Sequence, residues 1–149
     1  MREIALHMAD IAENSLAAGA ARIKLSVIID RAADRLTTAV EDNGRGMDAD
    51  TLYRCADPFM TTRTARRVGL GIALFKLSAE QSGGSFTIKS EQGRGTRAEA
   101  AYIISGIDRA PLGSIADTMA ALIAANPETD FTLEYAADGK AFAFATDTI

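Results

Sequence analysis

Glycine is crowded into the middle of this 149-residue chain. Of its 12 glycines, eight lie between Gly44 and Gly95, in four pairs whose members are one or two positions apart. Because glycine lacks a Cβ atom, such pairs mark places where the backbone turns sharply or comes close to another group. The pairs therefore separate the predicted elements of the chain and indicate where a ligand could approach the backbone.

Composition restricts the class of protein. A chain of this length forms about one domain with a full core. Its single Cys and single His exclude a disulfide framework, a cysteine-based zinc site and a site with several histidines. The net charge of −4 argues against nucleic acid as a partner. The chain has no signal-peptide pattern and no run of about 18 apolar residues, so we expect a cytoplasmic protein without a membrane partner.

Hydrophobic periodicity predicts an α+β order of elements. An apolar helix over residues 4–16 precedes two alternating strands, 22–30 and 36–42, which form an antiparallel hairpin. The further predicted elements are a short helix capped by Asp48, a surface segment at 61–68, a helix at 71–82, a hairpin of strands 85–90 and 96–105, a helix at 111–125 and a hairpin at 130–146. This order predicts a two-layer α/β sandwich, with a mixed, mostly antiparallel sheet and the helices on one face.

The character of the chain changes after about residue 104. Residues 105–149 contain none of the paired glycines and read as one helix followed by a hairpin around Asp138 and Gly139. We therefore predict a domain over residues 1–104 and a C-terminal extension over residues 105–149, whose role the sequence leaves open.

One face of the first helix carries polar side chains. His7, Asp10 and Asn14 lie within about 60° of one another on a helix that is otherwise mostly apolar. Asp10 and Asn14 either face water or offer oxygen ligands to Mg²⁺, which takes one or two from a protein and keeps the rest for phosphates and water. His7 is typical of a histidine in the core or at its rim, and Glu13 of a solvent-facing or supporting residue.

Asp42 lies on the same face of its predicted strand as Leu36 and Val40. If these side chains face the core, Asp42 does too, and a buried carboxylate must find a donor. It either caps the turn at the end of the hairpin or accepts from an amino group of a planar ligand. In the second case, Gly44 and Gly46 let that ligand lie against the backbone.

Gly69 and Gly71 flank the predicted start of the helix at 71–82. Free backbone N–H groups and the helix dipole favour an anion such as phosphate at this place. The third glycine of a Rossmann fingerprint is missing, and so is the Gly-Lys-Ser/Thr of a P-loop. Just upstream, Thr62 and Arg63 supply a hydroxyl and a cation that suit a phosphate clamp.

Five short motifs occur in order along the chain: ENS, DNGRGM, DPFMTTR, GLG and GRGT. Together they resemble the ATP-binding domain shared by histidine kinases, gyrase, mismatch-repair ATPases, heat-shock chaperones and anti-sigma-factor serine kinases, the GHKL superfamily. The resemblance covers about residues 4–104, and the C-terminal residues loosely resemble the tail of small stand-alone bacterial members. It implies a nucleotide between the helices and one face of a mixed sheet, under a lid.

The resemblance also implies roles for individual residues. Asn14 matches the asparagine that coordinates Mg²⁺, and Asp10 stands where many ATP-hydrolysing members carry a glutamate that activates water. Asp42 matches the aspartate that accepts from the amino group of adenine. The other matching positions are Gly44, Gly46 and Met47 around adenine, Phe59 at the edge of the lid, Gly69, Leu70 and Gly71 facing the phosphates, and Thr96, which helps to hold adenine.

Two departures bear on the activity. A sensor histidine kinase carries its phosphoacceptor on a separate helix pair, whereas this chain has only His7, on the helix of the ATP site. The predicted lid, residues 57–68, is short, as in small kinases. The resemblance therefore implies Mg-ATP binding with one of three uses. These are slow hydrolysis or a nucleotide switch that uses Asp10 and Arg63, phosphorylation of a partner protein on Ser, Thr or His, and non-catalytic sensing of ATP.

Overall fold

The described residues, 2–55 and 66–146 of this computed structural model, alternate between helices and strands. The helices are α1 Ile4–Ala17, α2 Ala49–Cys55, α3 Arg66–Gln81 and α4 Ile115–Ala125. The strands are β1 Arg22–Asp30, β2 Arg35–Asp42, β3 Ser85–Glu91, β4 Gly95–Ile103, β5 Asp130–Ala137 and β6 Lys140–Ala145. Within these ranges no helix has both the length and the apolarity needed to cross a membrane.

The strands form one six-stranded sheet in the order β3-β4-β2-β1-β5-β6. β1 pairs with β5 in parallel, and the other four neighbouring pairs are antiparallel. The three hairpins predicted from the sequence are all present. The sheet is therefore mixed and mostly antiparallel, which confirms the predicted α+β class.

The core lies between one face of the sheet and the helices. Leu25 of β1 is in register with Val40 of β2 and Leu133 of β5, and these side chains share one face because their strands are paired at those positions. They belong to a single cluster of buried side chains together with residues of the four helices above, among them Met8, Cys55, Phe75 and Leu122. The opposite face carries charged side chains, including Lys24, Glu41 and Arg97.

The helix α3 begins at Arg66, five residues before the predicted start. The prediction for 66–68 as an irregular surface segment was therefore wrong, whereas residues 61–65 lie outside the described part of the chain. Arginine is a good helix former, and a glycine inside a helix costs only about 1 kcal/mol. The two arginines carry no apolar periodicity, so a search for hydrophobic spacing could not find this first turn.

The helix α4 begins at Ile115 rather than at the predicted Pro111. Gly113 has a φ of +79°, a left-handed conformation that is incompatible with a continuing right-handed helix. Ser114 then caps the helix, since its hydroxyl oxygen accepts the backbone N–H of Asp117 at 3.2 Å. This is an ordinary serine N-cap that the sequence also contains but that the proline obscured.

The segment before α4 caps α1. The backbone N–H of Ile4 donates to the carbonyl oxygen of Pro111, and that of Ala5 to the carbonyl oxygen of Leu112, both at 2.9 Å. The first N–H groups of a helix have no acceptor inside the helix, and here the N-cap residue Glu3 supplies no side-chain bond. Residues of the C-terminal extension therefore hold the N-terminus of the helix on which the predicted polar face lies.

The extension also completes the sheet. β5 pairs with β1 from Arg22 opposite Asp130 to Ile29 opposite Ala137. Phe131 of β5 is fully buried in the core. The strands β5 and β6 are therefore joined by hydrogen bonds and by packing to the part of the chain in which the five motifs lie.

We expect Phe131→Ala to lower the free energy of unfolding of the whole chain by about 3–5 kcal/mol, because it opens a cavity in the shared core. The matched control is Phe142→Ala in β6, where the side chain is 58% exposed and the expected loss is about 0.5 kcal/mol or less. Urea unfolding followed by circular dichroism measures both. Two separate transitions, or an unchanged midpoint for Phe131→Ala, would show that the extension does not stabilise the rest of the chain.

Candidate functional site

The carboxylate of Asp42 is held between a helix, a strand and a loop. It ends β2 on the core side of the sheet, opposite Ile23 and Thr96. The Ser15 hydroxyl of α1 donates to Oδ2 at 2.5 Å, and the N–H of Gly44 donates to Oδ1 at 2.8 Å. Both readings of Asp42 from the sequence thus describe part of its surroundings, since it closes the turn after β2 and also points inward. Each oxygen keeps a further lone pair with which it can accept.

A small cavity of about 70 Å³ opens beside this carboxylate. Its lining combines apolar walls with a few polar groups. The residues that line it are Ile11, Asn14, Ser15, Ala18, Asp42, Gly46, Met47, Ile72, Ile88 and Thr96. Apolar walls beside a carboxylate acceptor have the chemistry that suits the amino-bearing edge of a flat heterocycle. Five of the residues predicted to bind the nucleotide therefore lie around one cavity.

Ser90 connects two of these predicted residues. Its hydroxyl lies 2.7 Å from the hydroxyl of Thr96 and accepts the backbone N–H of Met47 at 2.8 Å. Ser90 is on β3, so this bond ties the glycine-rich loop after β2 to the hairpin of β3 and β4. The position of Met47 at the cavity thus depends on a serine that the sequence analysis did not single out.

Two glycines bring that loop and that hairpin together. Gly46 has a φ of +70°, and an added Cβ would lie 2.0 Å from the carbonyl oxygen of Glu91. Gly95 has a φ of +122°, and its added Cβ would lie 2.0 Å from the carbonyl oxygen of Asp42. Both positions require glycine for close packing of backbone against backbone. Approach of a ligand to the backbone at Gly44 and Gly46 stays a prediction beside this packing role.

The polar face of α1 lines a second, larger cleft of about 420 Å³. It adjoins the cavity, because Asn14 lines both. The side chains around it are Arg2, Asp10, Glu13, Asn14, Leu70 and Leu74, together with the backbone of Gly71. An added Cβ on Gly71 would lie 3.6 Å from both the amide nitrogen of Asn14 and the Cβ of Asp10. These are ordinary van der Waals distances, so α3 packs closely against Asp10 and Asn14 of α1 at this position.

These oxygens fit a hard divalent cation that stays mostly bound to phosphate and water. Asn14, Asp10 and Glu13 offer amide and carboxylate oxygens on one side of the cleft. Mg²⁺ needs only one or two such protein oxygens, so a cation between them and a polyphosphate agrees with the donors present.

Arg2 forms an ion pair with Asp10. The guanidinium Nη2 lies 2.8 Å from the carboxylate Oδ2, with the two side chains 44% and 35% exposed. Arg2 precedes α1 and reaches back along it over two helical turns to make this contact. The sequence analysis missed Arg2, because no periodic pattern relates a residue before a helix to one eight positions later.

His7 is 6% exposed and its ring stacks on Phe75 of α3, with ring centroids 5.8 Å apart and an interplanar angle of 11°. Among the described residues, nothing forms a hydrogen bond with its buried Nδ1. Burial lowers the pKa of His7, the positive charge of Arg2 lowers it further, and the carboxylate of Asp10 raises it in part. A neutral histidine packed on an aromatic ring confirms the expectation of a core histidine.

The remaining predicted residues divide into two groups. Phe59, Thr62 and Arg63 lie outside the described part of the chain. Gly69 belongs to the first turn of α3, because that helix begins at Arg66. The N–H groups that lack an acceptor within this helix are those of residues 66–69, and the N–H of Gly71 already lies inside it. The anion-ready end of the helix is therefore one turn earlier than predicted.

Ser15 and Ser90 show which signal could have extended the sequence analysis. Ser15 follows Met8 and Ile11 at helical spacing on the buried side of α1. Ser90 follows Ile88 at strand spacing on the side of β3 that contacts the core. A polar residue that interrupts an apolar repeat needs a partner, and that rule was applied to Asp42 alone.

The fold and these side chains define a histidine kinase-like ATP-binding domain. Residues 2–103 match the family described as histidine kinase-, DNA gyrase B- and HSP90-like ATPase. Since this match covers more than half of the chain, the chain belongs to that family, and the resemblance seen in the five motifs is confirmed. Membership supports ATP binding. The strands β5 and β6 lie beyond the matched residues, although they extend the same sheet.

Curated relatives are sensor kinases by name. Sensor protein kinase FleS of Pseudomonas aeruginosa is 39% identical over 106 residues, which are 71% of this chain and 26% of FleS. Sensor kinase CckA of Brucella abortus is 38% identical over 65 residues, 43% of this chain and 7% of CckA. Sensor histidine kinase ZraS of Salmonella typhimurium is 39% identical over 62 residues, which are 42% of this chain and 13% of ZraS. The chain thus spans about a quarter of FleS and less of the others.

Proposed function

We propose that this ATPase-family chain binds Mg-ATP and acts as a slow ATPase or a nucleotide-dependent switch. The observation that carries the proposal is the carboxylate of Asp42, which Ser15 and Gly44 hold at the end of an apolar cavity. This cavity adjoins, at Asn14, a cleft whose side chains offer carboxylate and amide oxygens. A nucleoside triphosphate has the same order of parts, a flat base followed by a chain of phosphates.

Each part of the nucleotide then has its contacts. The amino group of adenine donates to Asp42, and the base lies against Met47 with Thr96 at its edge. Asn14 would hold Mg²⁺, which would offset the negative charge of the phosphates. Gly69, Leu70 and Gly71, in the first two turns of α3, would face the phosphate chain. Phe59, Thr62 and Arg63 would contribute from the lid.

Asp10 is the proposed general base. It lies one helical turn before Asn14, about 6 Å along α1, so a carboxylate at this place would orient water toward the terminal phosphate. Arg63 would stabilise the charge that develops on that phosphate. The ion pair with Arg2 occupies one oxygen of Asp10, which leaves the other to accept from water.

A second function, transfer of the phosphoryl group to a partner protein, is favoured by the relatives. All three named above are sensor kinases by name. The acceptor would be a Ser, Thr or His of the partner, since His7 is buried against Phe75. A third use, non-catalytic sensing of ATP within an assembly, needs the same cavity.

We expect Asp42→Asn and Asn14→Ala each to abolish the rise in melting temperature that Mg-ATP gives the parent protein. A ligand that binds only the folded state stabilises it by RT ln(1 + [L]/Kd), where [L] is the free ligand concentration, so lost affinity appears directly as a lost shift. Differential scanning fluorimetry with and without Mg-ATP measures the effect.

Glu41→Gln is the matched control for Asp42→Asn. Glu41 is the neighbouring residue of β2, but it lies on the opposite face of the sheet, where it pairs with Arg97 at 3.0 Å. The control should keep the full shift. If both site variants respond to Mg-ATP like the parent, the assignment of the site is wrong.

Asp10→Asn should separate binding from hydrolysis. The amide has the size of the carboxylate and cannot act as a base, so release of phosphate should fall roughly a hundredfold while Mg-ATP still raises the melting temperature. Asp108→Asn, at an exposed loop position, is the control. Label from γ-³²P-ATP that moves onto a candidate partner protein would support the kinase function instead, and neither release nor transfer above background would leave only sensing.

A further inference from the structure

Arg2 is the cationic side chain of the described cleft. Of the described residues that line it, Asp10 and Glu13 carry negative charge and Arg2 alone carries positive charge. A phosphate chain brought against two carboxylates meets repulsion, which the bound cation and Arg2 would have to offset. Among the described residues of the cleft, Arg2 is therefore the side chain that attracts a negatively charged ligand.

The guanidinium already lies on the path along which the ligand would extend. It contacts Asp10 at 2.8 Å, one helical turn beyond Asn14 as measured from Asp42. Asn14 stands where the cavity and the cleft meet. The order along α1 is thus base site, metal-binding amide, carboxylate, guanidinium, and the last of these corresponds to the end of the phosphate chain.

The ion pair between Arg2 and Asp10 is of a kind that exchanges partners. Both side chains are more than a third exposed, and such pairs are weak because water competes for both groups. A phosphate oxygen pair accepts two parallel N–H bonds from a guanidinium, as a carboxylate does, and carries more charge.

We propose that Arg2 binds the terminal phosphate of the nucleotide and exchanges its partner Asp10 for that phosphate. The inference rests on the proposed ATP site and deepens it. Arg2 then distinguishes a nucleoside triphosphate from a diphosphate, because the diphosphate ends before it reaches the guanidinium. Binding of the triphosphate also releases the carboxylate of Asp10, so the proposed base becomes fully available only when the substrate is present.

The test compares affinities for Mg-ADP and for the non-hydrolysable analogue Mg-AMPPNP by calorimetry. Arg2→Gln should weaken the binding of AMPPNP by at least about tenfold and leave the affinity for ADP within about twofold of that of the parent. Arg2→Lys keeps the charge but not the paired N–H groups, so its affinity for AMPPNP should lie between those of the parent and of Arg2→Gln. The control is Lys24→Gln, which breaks an ion pair of the same 2.8 Å length with Glu134 on the opposite face of the sheet.

The outcomes separate this inference from the proposed function. If the parent binds both nucleotides and Arg2→Gln changes their affinities equally or not at all, the terminal-phosphate contact is wrong and the ATP site stands. If the parent binds neither nucleotide, both proposals are overturned. Asp42→Asn should weaken the binding of both nucleotides to a similar extent, since Asp42 is proposed to contact the base that they share. Melting temperatures in the absence of nucleotide verify that each variant is folded.

Discussion

A carboxylate on the core side of a sheet is the constraint around which this domain is arranged. A carboxylate in this place needs hydrogen-bond donors, and Ser15 and Gly44 supply them to Asp42 from two different elements. The same two bonds fix α1 against the end of β2 and set the start of the glycine-rich loop. The residues that stabilise the carboxylate by hydrogen bonds therefore also shape the cavity beside it.

The helix α1 depends on residues far along the chain. Its N-terminus is capped by the carbonyl oxygens of Pro111 and Leu112, and the strand that follows it, β1, pairs with β5. Both contacts come from outside residues 2–103, the part that matches the ATPase family. The extension thus supports the helix that carries Asp10 and Asn14, and a change there could reach the site through α1 without touching it.

Regular alternation made the sheet predictable. The strands β1 and β2 were found because apolar and polar residues alternate along them, and the other four because glycine-containing turns join them in pairs. The inward direction of Asp42 followed from its place on the same strand face as Val40. The first turn of α3 was missed, since Arg66 and Arg67 have no apolar spacing. The sequence pattern also could not predict which polar side chains pair with each other. The contacts of Ser90 with Met47 and of Arg2 with Asp10 join residues that only the folded chain brings together.

Adenine recognition by Asp42 is the central claim, and the affinities for Mg-ATP and Mg-ITP test it most directly. ITP differs from ATP only in the base, where a carbonyl oxygen replaces the amino group. The carboxylate of Asp42 would then face an acceptor, and a buried acceptor without a donor costs enough to weaken ITP by at least about tenfold relative to ATP. Calorimetry that finds equal affinities for the two nucleotides would contradict the account.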